Sequence, residues 1–318
     1  MRVTVIAGGV GSARFCAGLV RVVDPDELTI VVNTGDDERL RGIYISPDVD
    51  TVLYHLAGQA EWERGWGTAD ESFASTERYR ELVADAGDLP VDMHEWFGLG
   101  DRDLATKLFR VRLLEAGLTL TEATAALARA MGVSCHVLPM SDDPVRTRFR
   151  LTSGEVLDFH DYFVRRRKPA DVDKIIIDGG ADAVPAPGVI EAITDADVLI
   201  IPPSNPLVSI EPLLDCGGIR QAVVAARATK VAISPIVGGK AIKGPAATLL
   251  EVLGHEVSPV GVANLYRGIV DVFVCDELDA DRLGDIEALG MRAVATDTIM
   301  RSPDDAARVA KAVLDAAG

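Results

Sequence analysis

Four carboxylates lie close together near the start of the chain. Asp36 and Asp37 are adjacent, and Asp48 and Asp50 follow within thirteen residues. Hard oxygen ligands of this kind suit Mg²⁺, which proteins usually hold with one or two carboxylates while phosphate oxygens and water complete its shell. We predict that Asp37 and Asp50 are catalytic and bind Mg²⁺, with orientation of a reacting hydroxyl as a second role open to Asp50. Helix capping is the alternative for Asp48 and Asp50, because a helix is expected to begin beside them.

A glycine-rich turn precedes these acids. The apolar run 3–7 leads into Gly8-Gly9-Val10-Gly11-Ser12 and then into a helical pattern. Glycines let backbone N–H groups approach a ligand, and the start of a helix favours negative charge, so we predict that Gly9, Gly11 and Ser12 hold a phosphate. The turn lacks the Gly-Lys-Ser/Thr of a Walker loop, and Arg14 stands where a dinucleotide fingerprint has its last glycine. An ordinary strand-to-helix turn is the alternative.

Two later loops carry groups suited to a nucleotide. Ser204 and Asn205 lie among three prolines, and Ser209 follows them. A rigid loop loses little entropy when it binds a base or a phosphate. The loop 235–245 combines three glycines with Lys240 and Lys243, whose charges can neutralise a diphosphate. We therefore predict that both loops bind the nucleotide.

Arg102 follows the glycine-rich segment 98–100 at the start of another predicted helix. Its guanidinium suits a phosphate or a substrate carboxylate. The neighbouring Asp101 and Asp103 have a simpler interpretation as helix caps.

Composition limits the classes of function. The 318-residue chain is 48% hydrophobic and carries a formal net charge of -17, which argues against a basic nucleic-acid footprint and against binding to an anionic membrane. No apolar run approaches the length of a membrane helix and no signal peptide is recognisable, so we expect a cytoplasmic protein. The four cysteines are far apart and lack metal-ligand spacing, and we expect them to be buried and unpaired: Cys16, Cys135, Cys216 and Cys275.

The elements that must position these loops alternate between strands and helices. Apolar, β-branched runs are typical of strands buried on both faces, and they occur at 3–7, 29–33, 133–138, 174–177, 198–201, 231–234 and 272–275. Helices are predicted at 14–23, 103–116, 120–131, 209–226, 245–253 and 303–317. An antiparallel hairpin is predicted from 146–151 and 155–159, and a helical insertion or lid near 58–97. The pattern predicts one α/β, Rossmann-like domain over 1–318, with a mostly parallel sheet flanked by helices.

Taken in order, these loops resemble the 2-phospho-L-lactate transferase family, which includes the phosphoenolpyruvate transferases of coenzyme F-420 biosynthesis. The resemblance covers essentially the whole chain, and the segments that carry it are 8–14, 33–37, 47–54, 99–106, 138–145, 203–210, 234–244 and 271–277. Two positions depart from the family pattern. Lys107 stands where a histidine is common, and Ser12 where glycine or threonine is frequent. These departures concern the fit of the substrates more than the type of reaction.

The resemblance implies transfer of a phospho-organic acid unit from a guanosine diphosphate conjugate to the terminal ribityl hydroxyl of the deazaflavin Fo, with release of GMP. It also implies a Mg²⁺ requirement and a homodimer. In this interpretation the nucleotide-binding residues are Gly9, Gly11, Ser12, Ser204, Asn205, Ser209, Lys240 and Lys243. The deazaflavin would meet Asp48, Asp50 and Arg102.

Two other classes of function remain as alternatives. A nicotinamide-dependent oxidoreductase would use the glycine turn with Asp36 or Asp37 on the ribose, but the third glycine and an obvious hydride-transfer acid are missing. A non-catalytic guanine-nucleotide-binding regulator would need no acidic cluster. The sequence leaves open which three-carbon acid the donor carries, since one methylene leaves no spacing signature.

Overall fold

A parallel sheet with helices on both faces forms the centre of the structure, a computed structural model that describes residues 1–167, 171–242 and 246–318. The described strands, in chain order, are β1 (Val3–Ala7), β2 (Leu28–Val32), β3 (Glu38–Leu40), β4 (Ile43–Ile45), β5 (His136–Pro139), β6 (Arg146–Leu151), β7 (Val156–Asp158), β8 (Val172–Asp178), β9 (Val198–Ile201), β10 (Thr229–Ile233), β11 (Ile236–Val237), β12 (Lys240–Ala241), β13 (Val272–Asp276) and β14 (Arg292–Thr296).

The described α-helices are α1 (Gly9–Leu19), α2 (Pro47–Leu56), α3 (Ala74–Ala86), α4 (Asp101–Glu115), α5 (Leu120–Ala130), α6 (Val189–Thr194), α7 (Glu211–Asp215), α8 (Ile219–Ala225), α9 (Ala246–Val252), α10 (Pro259–Leu265), α11 (Leu283–Glu287) and α12 (Pro303–Ala317). Short 3-10 or π-helical segments occur at Pro25–Glu27, Asp161–Arg165, Pro206–Ile210 and Glu277–Arg282.

The central sheet has the order β14-β13-β10-β9-β1-β2-β5, and every neighbouring pair in it is parallel. Strand β1 is buried along its whole length because its side chains enter two cores. Val3 and Val5 pack with α1 and α12 on one face, and Ile6 packs into the core of the other face. The prediction of a mostly parallel α/β sheet is therefore confirmed.

The strand order reverses at β1, because β2 and β9 lie on opposite sides of it. Open α/β sheets bind ligands outside the carboxyl ends of the strands at such a point. The turn that follows β1 and the loop that follows β9 therefore meet at the place where a ligand is expected.

Two predicted elements are wrong in part. The run 174–177 lies in β8, which joins β6 and β7 in a separate antiparallel sheet rather than in the central sheet. The predicted helix 209–226 is interrupted, because Gly218 has a φ of 85° at the start of α8. The predicted hairpin is confirmed as the β6–β7 pair. Strand β14 escaped prediction because its residues are half-exposed and form no continuous apolar run.

The insertion 58–97 contains one helix, α3, with turns around it. It is fixed against α4 by reciprocal capping. Asp101 accepts hydrogen bonds from the N–H groups of Ala74 and Ser75, both at 3.0 Å, and Glu71 accepts one from Arg102 N at 2.7 Å. Each helix start thus receives an acidic acceptor from the other segment.

The four cysteines are buried free thiols, as predicted: Cys16, Cys135, Cys216 and Cys275. Within the described parts of the chain, no helix has the length and apolar character needed to cross a membrane.

Candidate active site

A cavity of about 700 Å³ opens at the carboxyl ends of β1 and β9. Its wall includes the glycine turn, the acidic segment, the start of α2, part of the insertion and the loop that follows β9. The strand-order reversal therefore lies beside a space large enough for a substrate of some size.

The glycine turn is held by a closed set of hydrogen bonds. Gly8 N–H donates to Ser12 Oγ at 3.1 Å, Ser12 Oγ and Ser204 Oγ lie 2.5 Å apart, and the Ser204 hydroxyl donates to the Gly8 carbonyl. Gly9 has a φ of 72°, and a Cβ on Gly11 would overlap the Pro203 carbonyl oxygen. Glycine is therefore required for the turn to pack on the loop after β9. Ser12 and Ser204, both predicted phosphate or nucleotide ligands, hold this turn in shape.

The N-cap of α1 is Gly8 and its first turn contains no acid, but the Asp48 carboxyl accepts a hydrogen bond from the Gly9 N–H. The start of this helix faces the cavity through Gly9, Val10 and Gly11. The Gly8 and Gly9 N–H groups are bound to Ser12 and Asp48, and the N–H groups that follow them, with the positive end of the helix dipole, make this a suitable place for a phosphate.

Three buried carboxyl groups lie behind the turn. Burial, and then the charges of Asp48 and Asp37, raise the pKa of Asp36 well above its ordinary value. Burial raises the pKa of Asp48 to about 6, although hydrogen bonds from the Asn33 side chain and Gly9 N–H oppose the rise. Burial also raises the pKa of Asp37 to about 8. Burial is the main cause in all three, and a cation bound nearby would favour the ionised carboxylates instead.

The adjacent Asp36 and Asp37 have different surroundings. Asp37 accepts hydrogen bonds from Tyr44 Oη at 2.9 Å and Ser46 Oγ at 2.8 Å, and it does not line the cavity. Asp36 does line it, and its buried Oδ1 has no hydrogen-bond partner among the described residues. Asp48 lines the cavity as well. Of the predicted Mg²⁺ ligands, Asp37 is therefore turned to other partners, while Asp36 offers an unused oxygen.

Asp50 lines the cavity and is bound by two cations from α4. Lys107 Nζ donates to Asp50 Oδ2 at 3.1 Å, and the Arg110 guanidinium donates to both carboxylate oxygens. The side chains of all three are at most 4% exposed. Burial alone would raise the pKa of Asp50, but the charges of Arg110 and Lys107 hold it below its ordinary value. Asp50 is therefore a fixed carboxylate whose charge is already balanced.

Asn205 and Ser209 reach the cavity from the loop after β9. Asn205 Oδ1 accepts from Leu207 N at 3.0 Å, whereas its buried Nδ2 has no partner within the described chain. Ser209 is buried beside Gly9. These two predicted nucleotide ligands are thus brought to the glycine turn, with one free amide donor.

Other predicted ligands lie elsewhere. Lys240 is exposed on the β11–β12 hairpin and does not line the cavity, and Lys243 lies outside the described residues. Arg102 is also exposed and away from the cavity wall, where its guanidinium lies 3.4 Å from the Ala69 carbonyl.

A second wall of the cavity is aromatic and was missed by sequence reasoning. Phe97, Phe159, Phe163 and His160 line it, and His160 Nδ1 lies 2.7 Å from Glu38 Oε2. Phenylalanines scattered over two distant segments give no sequence signal. Asp103, Lys107 and Arg110, by contrast, share one face of α4 at helical spacing. Charged residues at a spacing that is typical of the buried face of a helix were the sequence signal that could have revealed the two cations, Lys107 and Arg110.

Comparison with known proteins identifies the family. The family model for 2-phospho-L-lactate transferase CofD matches residues 3–313. A phosphoenolpyruvate transferase from Kitasatospora aureofaciens is 42% identical, covering 99% of this chain and 97% of its own. A 2-phospho-L-lactate transferase from Methanosarcina acetivorans is 39% identical, covering 98% and 97% respectively.

A phosphoenolpyruvate transferase from Streptomyces coelicolor is 40% identical over 99% of this chain and 97% of its own. A crystal structure of a UPF0052 family protein from Bacillus halodurans aligns with a TM-score of 0.62 at 18% identity, covering 98% of each chain, and so shares the fold. The described geometry and the full-length sequence match agree, and the chain belongs to the 2-phospho-L-lactate transferase CofD family.

Proposed function

We propose that this transferase moves a 2-phospholactyl or phosphoenolpyruvyl unit from a guanosine diphosphate conjugate to the terminal ribityl hydroxyl of the deazaflavin Fo in coenzyme F-420 biosynthesis. The supporting observation is one cavity that combines a glycine-rich helix start, an acidic cluster and a charge-balanced carboxylate. The reaction forms a P–O bond to the acceptor hydroxyl, which loses its proton, and breaks the P–O bond to GMP. Membership of a transferase family disfavours both the oxidoreductase and the non-catalytic regulator.

The glycine turn and the loop after β9 are suited to the donor. The backbone N–H of Gly11 would hold its diphosphate at the start of α1, beside the Gly9 N–H that Asp48 accepts. The free Nδ2 of Asn205 and the hydroxyl of Ser209 would bind near the guanosine end. The Asn205 side chain is held through its Oδ1 before the donor arrives, which lowers the entropy cost of binding.

Mg²⁺ fits the acidic cluster. The unpartnered Asp36 Oδ1 and the Asp48 carboxyl line the cavity, and a cation bound between them would favour the ionised forms that burial disfavours. The described residues provide no set of three His, Cys, Asp or Glu side chains able to hold a metal, but Mg²⁺ is usually bound by one or two carboxylates with substrate phosphate. Bound there, it would neutralise charge on the diphosphate during transfer. We therefore propose Asp36 and Asp48 as its ligands in place of Asp37 and Asp50.

Asp50 is then left to orient the acceptor. Three donor contacts from Lys107 and Arg110 leave its carboxylate room for about one more hydrogen bond. Its lowered pKa makes it a weak proton acceptor but a well-ordered hydrogen-bond acceptor. Asp50 would thus hold the ribityl hydroxyl in line with the phosphorus rather than remove its proton first.

Calorimetric titration with Fo and with GDP, each with and without Mg²⁺, tests this proposal. We expect both ligands to bind and Mg²⁺ to strengthen the binding of GDP. Binding of GDP without Fo would contradict the proposed acceptor, and binding of NADH instead of either would contradict the proposed function as a whole.

A further inference from the structure

Arg14 is a buried cation in the wall of the cavity. It lies on α1 just after the glycine turn, and it is only 8% exposed. Its Nη2 donates to the backbone carbonyl of Trp62 and lies 3.4 Å from that of Glu63, while its Cζ is 5.4 Å from the centroid of the Trp62 ring. Its Nε is buried and has no hydrogen-bond partner among the described residues. The guanidinium is therefore held at one nitrogen and keeps an unused donor at another.

The charge of Arg14 is not balanced by the described chain. Burial lowers the pKa of the guanidinium, and no described carboxylate raises it again. Arg110 is buried as well, but Asp50 neutralises it. Holding a charge away from water without a counter-charge is costly. A buried arginine kept in this state at the wall of a substrate cavity favours an anionic ligand.

The other Lys and Arg side chains that line the cavity in the described ranges differ from Arg14. Asp50 and Asp103 both bind Lys107. Arg301 is exposed, so water can solvate its charge. Side chains on a helix lean toward its N-terminus, which puts the Arg14 guanidinium on the side of the glycine turn. The unbalanced charge therefore lies next to the place proposed for the diphosphate.

We propose that Arg14 binds the carboxylate of the three-carbon acid that the donor carries. This inference rests on the proposed function. The start of α1 and Mg²⁺ would balance the charge of the diphosphate, which leaves the carboxylate as the remaining negative group of the donor. A guanidinium suits this group because its N–H donors make charge-assisted hydrogen bonds to carboxylate oxygens.

This assignment has a consequence for specificity. The lactyl and the enolpyruvyl unit both carry their carboxylate on the carbon atom that bears the phosphate oxygen. Arg14 would therefore bind either unit in the same way. It selects a class of donor, the 2-phosphorylated carboxylic acids, and leaves the choice between the two acids to contacts with the third carbon.

Two ligands that differ only in the carboxylate test the inference. The lactyl conjugate of guanosine diphosphate is compared with guanosine diphosphate ethyl ester, in which a hydrogen atom replaces the carboxylate. Binding of each ligand to the full-length protein is measured by calorimetry with Mg²⁺ and without Fo, so that no transfer occurs. We expect the parent protein to bind the lactyl conjugate at least about tenfold more tightly than the ethyl ester.

Substitution of Arg14 should remove this preference. We expect Arg14→Gln to bind the two ligands within about twofold of each other, and to bind the ethyl ester within about twofold of the parent. The unchanged affinity for the ester shows that the variant is folded. Arg21→Gln is the matched control, because Arg21 lies just beyond the end of α1 and pairs with the exposed Asp304. It should keep the preference of the parent.

The outcomes separate the two proposals. If Arg14→Gln keeps the preference of the parent, the assignment of Arg14 is wrong while the proposed function stands. If it loses both ligands equally with its Tm intact, Arg14 binds the diphosphate and the assignment is overturned. A parent protein that binds both ligands equally also overturns it, and one that binds neither contradicts the proposed function as well. Arg14→Met, which keeps the apolar stem, takes the place of Arg14→Gln if that variant unfolds.

Discussion

Replacing Asp50 by Asn would leave two buried cations without their shared partner. Asp50, Lys107 and Arg110 are at most 4% exposed, so water cannot compensate for the lost charge. Breaking a buried ion pair by removing one partner costs about 3–5 kcal/mol. For a chain longer than 250 residues, 1 kcal/mol corresponds to about 2 °C in Tm, so we expect Asp50→Asn to melt about 6–10 °C below the parent protein.

A second substitution should restore much of this loss. Lys107→Met removes one of the two cations, so that Arg110 alone is left without its carboxylate partner. We expect the double variant to be about 2 kcal/mol, or about 4 °C, more stable than the sum of the single changes predicts. Glu115→Gln is the control, because its pair with Arg112 is solvent-exposed and should be worth less than about 1 kcal/mol.

Comparison of the parent protein, the two single variants and the double variant also separates the effect on stability from the effect on catalysis. Differential scanning fluorimetry gives the melting temperatures, and a transfer assay below them gives the turnover. If Asp50 orients the acceptor hydroxyl, the stabilised double variant should still be at least about 100-fold slower than the parent protein. Melting of Asp50→Asn within about 2 °C of the parent, or strictly additive effects of the two substitutions, would refute the account of a buried charge network.

Three further predictions follow from the acidic cluster and the turn. The pKa of Asp37 is raised to about 8, so the folded chain holds this proton more tightly than the unfolded chain, and the stability of the metal-free protein should fall as the pH rises from 5 to 8.5. Asp37→Asn should flatten this dependence when Tm is measured over the same pH range. Parallel Tm curves for the parent and the variant would show that Asp37 is not the cause. Asp36→Asn should abolish the strengthening of GDP binding by Mg²⁺ in calorimetry while Asp37→Asn keeps it, and the reverse result would restore Asp37 as the ligand. Gly11→Ala should weaken GDP binding at least about tenfold, because the added Cβ overlaps the Pro203 carbonyl oxygen. Gly284→Ala is the control, because a Cβ there has no neighbouring atom within 4 Å, and its GDP affinity should stay within about twofold of the parent. Equal affinities of the two variants would show that the glycine turn can shift to accept a side chain.

The central strands and their ligand-bearing loops could be predicted because local patterns determine them. The apolar run of β1 ends at glycines, and the structure begins α1 directly after Gly8. Strand order was not predictable in this way, yet the rule that ligands bind beyond the carboxyl ends of strands selected loops that the structure brings to one cavity. By contrast, β14 has no apolar run, since its side chains are half-exposed at the edge of the sheet.

The finer chemistry of the site depends on tertiary contacts. The sequence spacing predicts that the acidic loop after β2 lies at the site, but it does not predict whether Asp36 or Asp37 faces the cavity. A turn in which Asp37 N–H bonds the Thr34 carbonyl at 3.1 Å makes that choice, with Tyr44 and Ser46 binding the Asp37 carboxyl. The cations on Asp50 come from a helix about sixty residues away in sequence. A single sequence without known contacts contains no record of that pairing.

The central claim is group transfer to Fo, and a turnover assay tests it most directly. The purified protein is incubated with Fo and with each guanosine diphosphate conjugate, lactyl and enolpyruvyl, with Mg²⁺ or with EDTA, and products are followed by mass spectrometry. We predict one molecule of GMP for each molecule of Fo that gains the phospho-organic acid, with Mg²⁺ only. Release of GMP while Fo stays unmodified, or no reaction with either donor, would contradict the claim.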